Sequence, residues 1–248
     1  NPLHIGNVTH RMWELVIFLF LSLVCGMNFQ SESTLVATPS EEHTGTLIFL
    51  HGLGDTGAGW FSEMSKIRRE NPTIRVVCPT APIMPVTLNR GMSMTAWHDI
   101  KALEGLDNDN FNGIKQTSQI IEDLIREESK LVPSEKIVLG GFSQGAAMSM
   151  YVGLQYPEKL AGIVALSGYL PHYGNFEELV CDANRETDLF AAHGDADQVV
   201  KLEYGQRAHD RIAKFNKNAS LKVYPNLQHS SSRAEMQAVF DFVMSHLK

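Results

Sequence analysis

Cysteine is scarce in this chain: Cys25, Cys78 and Cys181 are the three cysteines among 248 residues. Such an odd and widely spaced set provides neither a disulfide framework nor the paired spacing of a zinc site. The sequence also lacks the Gly-rich phosphate-binding motifs of nucleotide enzymes and the paired-histidine motif of zinc proteases. We therefore expect that the protein uses neither a cofactor nor a metal.

Clusters of lysine and arginine are absent as well, and the formal net charge is −7. Proteins that bind nucleic acid usually present a basic face, so the composition argues against nucleic acid as a partner. Apolar residues make up 44% of the chain, which is enough for a large buried core. A chain of this length is typical of one α/β domain.

No apolar run is long enough to span a membrane comfortably: the one after Arg11 has roughly ten residues, where a span needs about 20. This length suits the apolar part of a signal peptide, and the alternatives are a hydrophobic anchor or upstream sequence translated ahead of a start at Met27. We favour the start at Met27, because the chain begins with Asn1 rather than Met. Residues 1–44 are accordingly assigned to a leader outside the fold, and residues 45–248 to a single domain.

Short apolar segments alternate with amphipathic helical patterns along this domain. The predicted strands cover residues 46–50, 75–78, 136–140, 160–166, 189–193 and 220–224. This alternation predicts an α/β fold, with a mainly parallel central sheet covered by helices on both faces. Ligands of such folds bind beyond the carboxyl ends of the strands. Residues 79–111 show no periodicity and are interpreted as a long loop region.

A nucleophile motif follows one of these strands, in the sequence Gly141-Phe142-Ser143-Gln144-Gly145. The glycines two positions before and two positions after the serine permit a sharp turn from strand to helix, which raises the hydroxyl into a cleft. An ordinary serine in a tight turn is the alternative. The strand before the motif and the helical pattern after it favour Ser143 as a nucleophile.

A serine nucleophile needs a histidine base and a carboxylate that orients it, and in this kind of fold they follow in the order acid, then histidine. His229 fits the base, because it lies between the last predicted strand and the last helix. Asp195 and Asp197 both follow the strand at 189–193, and spacing alone does not decide between them. The pattern favours Asp197, which lies further from the strand end.

A Gly-rich turn follows the first predicted strand at residues 51–55. Backbone N–H groups in such a turn can stabilise the oxyanion that forms during acyl transfer. We expect the N–H of Leu53 to act together with the N–H of Gln144, which opens the helix after the nucleophile.

Taken together, these motifs resemble the acyl-protein thioesterase and lysophospholipase group, in the phospholipase/carboxylesterase branch of the α/β-hydrolases. The resemblance covers about residues 45–248. Its markers are residues 48–57, 82–89, 96–97, 139–145, 160–162, 166–168, 193–197 and 229–231. It implies an α/β-hydrolase fold, a triad acid at Asp197 and oxyanion donors at Leu53 and Gln144.

The resemblance further implies a cytosolic enzyme that removes palmitate from cysteine thioesters of proteins and, in some members, hydrolyses lysophospholipids. Such substrates allow transient contact with a membrane surface. A secreted or membrane-anchored enzyme is the alternative if residues 12–26 are a genuine signal or anchor. Two other functions stay open, a broad carboxylesterase for small esters and a catalytically silent module that binds acyl groups. The oligomeric state is left open.

The chain departs from the family pattern near the predicted site. His98 replaces a usual Phe, Gln198 replaces a usual Pro, and residues 226–228 replace a Gly-Met-like run. These differences leave the preferred acyl chain and leaving group open. For the acyl channel we predict Trp97, Leu88 and Met84 as lining residues, since flexible apolar side chains suit a hydrocarbon tail. Ordinary loop packing is the alternative for these residues.

Overall fold

A seven-stranded sheet organises residues 34–106 and 109–247, the parts of the chain that this computed structural model describes. The strands are β1 (Leu35–Ala37), β2 (Gly45–Leu50), β3 (Ile74–Cys78), β4 (Ile83–Val86), β5 (Met92–Thr95), β6 (Ile137–Phe142), β7 (Gly162–Leu166), β8 (Leu189–Gly194) and β9 (Ala219–Tyr224). The helices are α1 (Gly57–Glu70), α2 (Ile114–Glu128), α3 (Gln144–Gly153), α4 (Leu202–Ile212) and α5 (Arg233–His246).

The order of strands across the sheet is β1-β3-β2-β6-β7-β8-β9. Only the first pair, β1 with β3, is antiparallel, and all other neighbours in this sheet are parallel. Strands β4 and β5 form a separate antiparallel hairpin. The predicted α/β fold with a mainly parallel sheet is confirmed.

Both faces of the sheet are buried, and strand β2 shows how. Its side chains alternate between two core clusters, with Ile48 and Leu50 in one and Leu47 and Phe49 in the other. Helices α2, α3 and α4 contribute apolar residues to the first cluster, and helices α1 and α5 contribute to the second. A strand that is buried on both faces has a continuous apolar sequence, and this run is what predicted the strand.

Two elements differ from the sequence expectations. Residues 35–37 were assigned to the leader, yet they pair with β3 and form an edge strand of the sheet. The three residues of this strand are apolar, but a run of three is too short to show a strand period in the sequence. The hairpin of β4 and β5 lies in the region interpreted as a loop, where Pro85 obscures the strand pattern.

The expectation of a start at Met27, and its signal or anchor alternatives, fall on residues outside the described part of the chain. None of the helices in residues 34–106 and 109–247 combines the length and apolarity that a membrane span requires.

Candidate active site

Ser143 occupies a strained turn between β6 and α3. Its backbone has φ 56° and ψ −118°, in the half of φ space that residues with a side chain rarely occupy. A Cβ at Gly145 would lie 2.2 Å from the carbonyl oxygen of Leu50, and one at Gly141 would lie 2.4 Å from the carbonyl carbon of Gly145. Glycine at both positions therefore lets the backbone pack closely enough to make this turn.

The structure brings the three predicted side chains together in one hydrogen-bonded line. His229 Nε2 lies 3.0 Å from Ser143 Oγ, and His229 Nδ1 lies 2.7 Å from Asp197 Oδ2. An ionised carboxylate only accepts hydrogen bonds, so Nδ1 carries the ring proton and Nδ1–H donates a hydrogen bond to Asp197. Nε2 is then free to accept from the Ser143 hydroxyl, which is the arrangement that a general base requires.

The carboxylate of Asp197 is buried and fixed on its other side. Oδ1 accepts hydrogen bonds from the backbone N–H groups of Val199 and Val200, both at 2.9 Å. Burial raises the pKa of Asp197, but the hydrogen bonds from His229 and from these two amides outweigh it and hold the pKa below its ordinary value. The acid is therefore ionised when His229 needs a negative partner.

His193 anchors the loop that carries the acid. Its Nε2–H donates to the carbonyl of Val200 at 2.7 Å, and the ring lies 3.6 Å from Asp197 Oδ2. Burial lowers the pKa of His193, so this ring adds no positive charge beside the acid at neutral pH. Helix α4 approaches the ring closely, since a Cβ at Gly205 would lie 2.3 Å from His193 Nδ1.

Asp195, the other candidate for the acid, lies elsewhere. It is exposed, and its Oδ1 accepts from the backbone N–H of Asn226 at 2.6 Å. Asp195 thus ties two loops together, while Asp197 contacts His229.

The two predicted oxyanion donors border the same cleft as Ser143. Gln144 is the first residue of α3, where backbone N–H groups have no partner within the helix. Within the described residues, the Leu53 N–H donates to no carbonyl, whereas its neighbour Gly54 donates to Thr95 at 2.8 Å. The Thr95 hydroxyl in turn donates to the carbonyl of Asp55 at 2.6 Å, so the hairpin braces the turn around Leu53.

Trp97 supports the site from behind and does not line the cleft. It is fully buried; its indole N–H donates to the carbonyl of His51, and its backbone N–H donates to Gln144 Oε1, both at 2.8 Å. A buried indole N–H needs such a partner, which holds the ring away from any substrate. His51 itself is fixed at both nitrogens, to Gly52 O at 2.7 Å and to the N–H of Ala81 at 2.9 Å.

A cleft of about 460 Å³ opens beside Ser143. Leu88 lines it, as predicted, but Met84 does not, because it is buried against Gly113. The predictions for Trp97 and Met84 as lining residues are therefore wrong, and both belong to the core. Apolar lining residues that the sequence analysis missed are Trp60, Ile100, Leu103, Tyr169, Val199 and Val200. For Tyr169 a signal existed, since it follows the carboxyl end of β7.

A buried polar network connects the nucleophile turn to Tyr169. The Nε2–H₂ group of Gln144 donates to the carbonyl of His98 at 2.8 Å. His98 Nδ1–H donates to the carbonyl of Asp99 at 2.9 Å, so Nε2 accepts from the Tyr169 hydroxyl at 3.0 Å. Burial lowers the pKa of His98 to about 4 and raises the pKa of Tyr169, so both side chains are neutral at physiological pH.

A mainly parallel sheet that carries a strained serine turn, a histidine and an aspartate beyond its strand ends defines the α/β-hydrolase class. The sequence profile of the phospholipase/carboxylesterase family matches residues 31–247. The chain belongs to this family and is a serine hydrolase.

Relatives within the family carry thioesterase names. Acyl-protein thioesterase 1 of Neurospora crassa is 41% identical over 215 residues, covering 83% of this chain and 88% of that protein. Acyl-protein thioesterase 1 homolog 1 of Dictyostelium discoideum is 41% identical over 209 residues, covering 83% and 92%.

Solved structures agree with this membership. The crystal structure of Zea mays acyl-protein thioesterase 2 has a TM-score of 0.74 and 29% identity, covering 87% of this chain and 99% of that one. Arabidopsis thaliana SOBER1 has a TM-score of 0.74 and 26% identity, covering 82% and 99%.

Proposed function

We propose that this protein hydrolyses fatty acyl thioesters and esters, with S-palmitoylated proteins as its main substrates and lysophospholipids as further ones. The observation that carries the proposal is the hydrogen-bonded line from Ser143 through His229 to Asp197, at the edge of an apolar cleft. The names of the relatives support the thioester substrate.

In the proposed reaction, the oxygen of Ser143 attacks the acyl carbonyl carbon while His229 Nε2 takes its proton. The carbonyl oxygen becomes an oxyanion, which the N–H groups of Leu53 and Gln144 stabilise. Collapse of this intermediate breaks the bond to sulfur, and His229 returns the proton to the departing cysteine thiolate. The acyl group is then an ester of Ser143.

Water completes the cycle by the same steps. His229 removes a proton from a water molecule while the water oxygen attacks the carbonyl carbon of the acyl-serine. The second oxyanion accepts hydrogen bonds from the same two N–H groups. The fatty acid leaves as Ser143 Oγ recovers the proton from His229. Asp197 stays ionised throughout and stabilises the imidazolium that forms in each half of the cycle.

The lining of the cleft favours long acyl chains over short ones. Aliphatic and aromatic side chains form much of its border, as with Leu88, Ile100 and Leu103, while Asp55, Ser230 and Ser231 add polar groups. A hydrocarbon chain that binds there is removed from water. Each methylene buried in this way makes the binding free energy more favourable by about 0.8 kcal/mol. A short ester would gain little from this surface.

The experiment compares an S-palmitoylated peptide, lysophosphatidylcholine and p-nitrophenyl esters of increasing acyl length. We expect thioester hydrolysis by the wild-type protein, loss of hydrolysis in Ser143→Ala, and retention in the control Ser65→Ala, whose hydroxyl lies on α1. A steep fall in ester hydrolysis beyond butyrate would indicate a small-ester carboxylesterase instead. Failure of a fluorophosphonate probe to label the protein would indicate a silent acyl-binding module.

The proposal includes a cytosolic location, with transient contact of the enzyme with the membranes that carry its substrates. Mass spectrometry of the mature N-terminus tests it. A natural N-terminus at or near Met27 agrees with the cytosolic form, and cleavage after a signal segment contradicts it.

A further inference from the structure

Tyr169 borders the cleft, yet its hydroxyl does not face it. The hydroxyl is hydrogen-bonded to His98 Nε2 at 3.0 Å, and His98 is fully buried and outside the lining of the cleft. The ring of Tyr169 therefore lies between the cleft and the core, with its polar end directed inward.

The ring is also held by aromatic packing. Phe111 stacks on Tyr169 with ring centroids 6.0 Å apart and an interplanar angle of 20°. His98 meets Phe111 edge-on, with centroids 5.1 Å apart at 84°. Both His98 and Phe111 are 0% exposed, so the side chains that contact the tyrosine on this side belong to the core. A wall of this kind limits the space of the cleft, because a packed core does not yield to a ligand.

The hydrogen bond from the Tyr169 hydroxyl to His98 Nε2 holds the tyrosine ring in place at the wall of the cleft. Since His98 Nδ1–H is committed to the carbonyl of Asp99, Nε2 needs a donor, and Tyr169 supplies one. Losing that donor leaves a buried acceptor unpaired, whereas replacing both partners by apolar groups removes the penalty.

We propose that Tyr169, held in place by His98, is a specificity-determining residue that limits the length of the acyl chain the cleft accepts. The inference rests on the proposed function, because it concerns the acyl group that Ser143 receives. His98 touches no substrate and is a positioning residue.

The test measures kcat/KM for p-nitrophenyl butyrate, octanoate and palmitate in a set of variants. In Tyr169→Ala we expect the palmitate-to-butyrate ratio to rise by about tenfold, the scale on which a pocket discriminates small differences in apolar size. In Tyr169→Trp, which adds volume, the ratio should fall by a similar factor. Tyr151→Phe is the control, a buried tyrosine that does not border the cleft, and should leave the ratio unchanged.

The hydrogen bond is tested by a pair of conservative changes. Tyr169→Phe keeps the ring but removes the donor to His98, and His98→Phe removes the acceptor. We expect each single variant to change the chain-length ratio, and the double variant to return it toward the wild-type value. A cycle of this kind isolates the coupling between the two residues.

A second readout keeps the two proposals separate. Calorimetric binding of octanoate and palmitate reports the cleft without any turnover, so it decides the matter even if the protein proves catalytically silent. A shift toward palmitate in Tyr169→Ala supports the inference. The inference would be overturned if the variants changed kcat/KM or affinity equally for all chain lengths, or did not change them. If Tyr169→Ala does not fold, Tyr169→Phe is measured in its place.

Discussion

Asp197 Oδ2 and His229 Nδ1 lie 2.7 Å apart, which is the shorter of the two links in the line that ends at the Ser143 hydroxyl. The other oxygen of the same carboxylate accepts two backbone N–H groups from its own loop. One carboxylate thus fixes both the conformation of its loop and the tautomer of the histidine. The acid is held in its working orientation before any substrate arrives.

Replacing Asp197 by Asn should lower kcat by about ten-thousandfold, the scale of the corresponding change in other serine hydrolases. The amide oxygen can still accept from Val199 and Val200, so the NH₂ group faces His229 and forces the wrong tautomer on the ring. Hydrolysis of p-nitrophenyl octanoate measures the effect, and the melting temperature reports the fold.

Asp195→Asn is the matched control in the same loop. An amide oxygen there can keep the bond to the Asn226 N–H, so kcat should change by less than about threefold. A loss in Asp195→Asn as large as that in Asp197→Asn would contradict the assignment of the acid.

Gly145→Ala should destabilise the protein by about 3 kcal/mol or prevent folding, because its Cβ would lie 2.2 Å from the Leu50 carbonyl oxygen. A backbone atom cannot move aside as a side chain end can. Gly174→Ala is the control, since a Cβ at this exposed glycine meets nothing within 4 Å. Urea unfolding of both variants gives the comparison, and equal stabilities would show that the turn is less tightly packed than described.

Gln144→Ala tests whether the side chain of Gln144 aligns the backbone N–H that we assign to the oxyanion. The variant keeps the N–H that we assign to the oxyanion but removes the side chain that contacts Trp97 and His98. We expect kcat to fall by about tenfold while KM changes little, since the donor loses its alignment in the transition state rather than in the substrate complex. A change confined to KM would contradict this role.

Glu235 makes stability depend on pH. It is fully buried in the first turn of α5, both carboxylate oxygens lack a hydrogen-bond partner among the described residues, and burial raises its pKa to about 7. In the unfolded chain the carboxyl group ionises near its ordinary pKa of 4.5, whereas in the folded protein it stays protonated up to about pH 7. The free energy of unfolding is therefore highest below pH 4.5 and falls as the pH rises from there toward 7. The loss reaches about 3 kcal/mol.

The variant Glu235→Met should therefore melt at a higher temperature than the wild-type protein at about pH 8, and the difference should shrink at about pH 4. Melting curves at both values test this. A difference in melting temperature that stays constant with pH would show that folding does not raise the pKa of Glu235.

The elements closest to the chemistry were the easiest to predict from the sequence. Gly141 and Gly145 flank Ser143 and permit its strained turn, and the strand before it, β6, is a buried apolar run, so local pattern and fold agree there. His229 followed from its place between the last strand and the last helix. The catalytic roles of these residues remain predictions.

Features that depend on contacts between distant parts of the chain could not be predicted from the sequence. Trp97 looked like a channel residue, because the sequence does not reveal that the carbonyl of His51 would accept its indole N–H. Tyr169 and Val200 line the cleft through the convergence of two strand ends, which no local period records. The hairpin of β4 and β5 was missed because Pro85 interrupts a pattern that a two-stranded element tolerates.

The most direct test of the account is the mass of the protein during turnover. Wild-type enzyme quenched by acid while it hydrolyses a palmitoyl thioester should carry one palmitoyl group, and peptide mapping should place that group on Ser143. A palmitoyl group on another residue, or steady turnover in Ser143→Ala, would contradict the account.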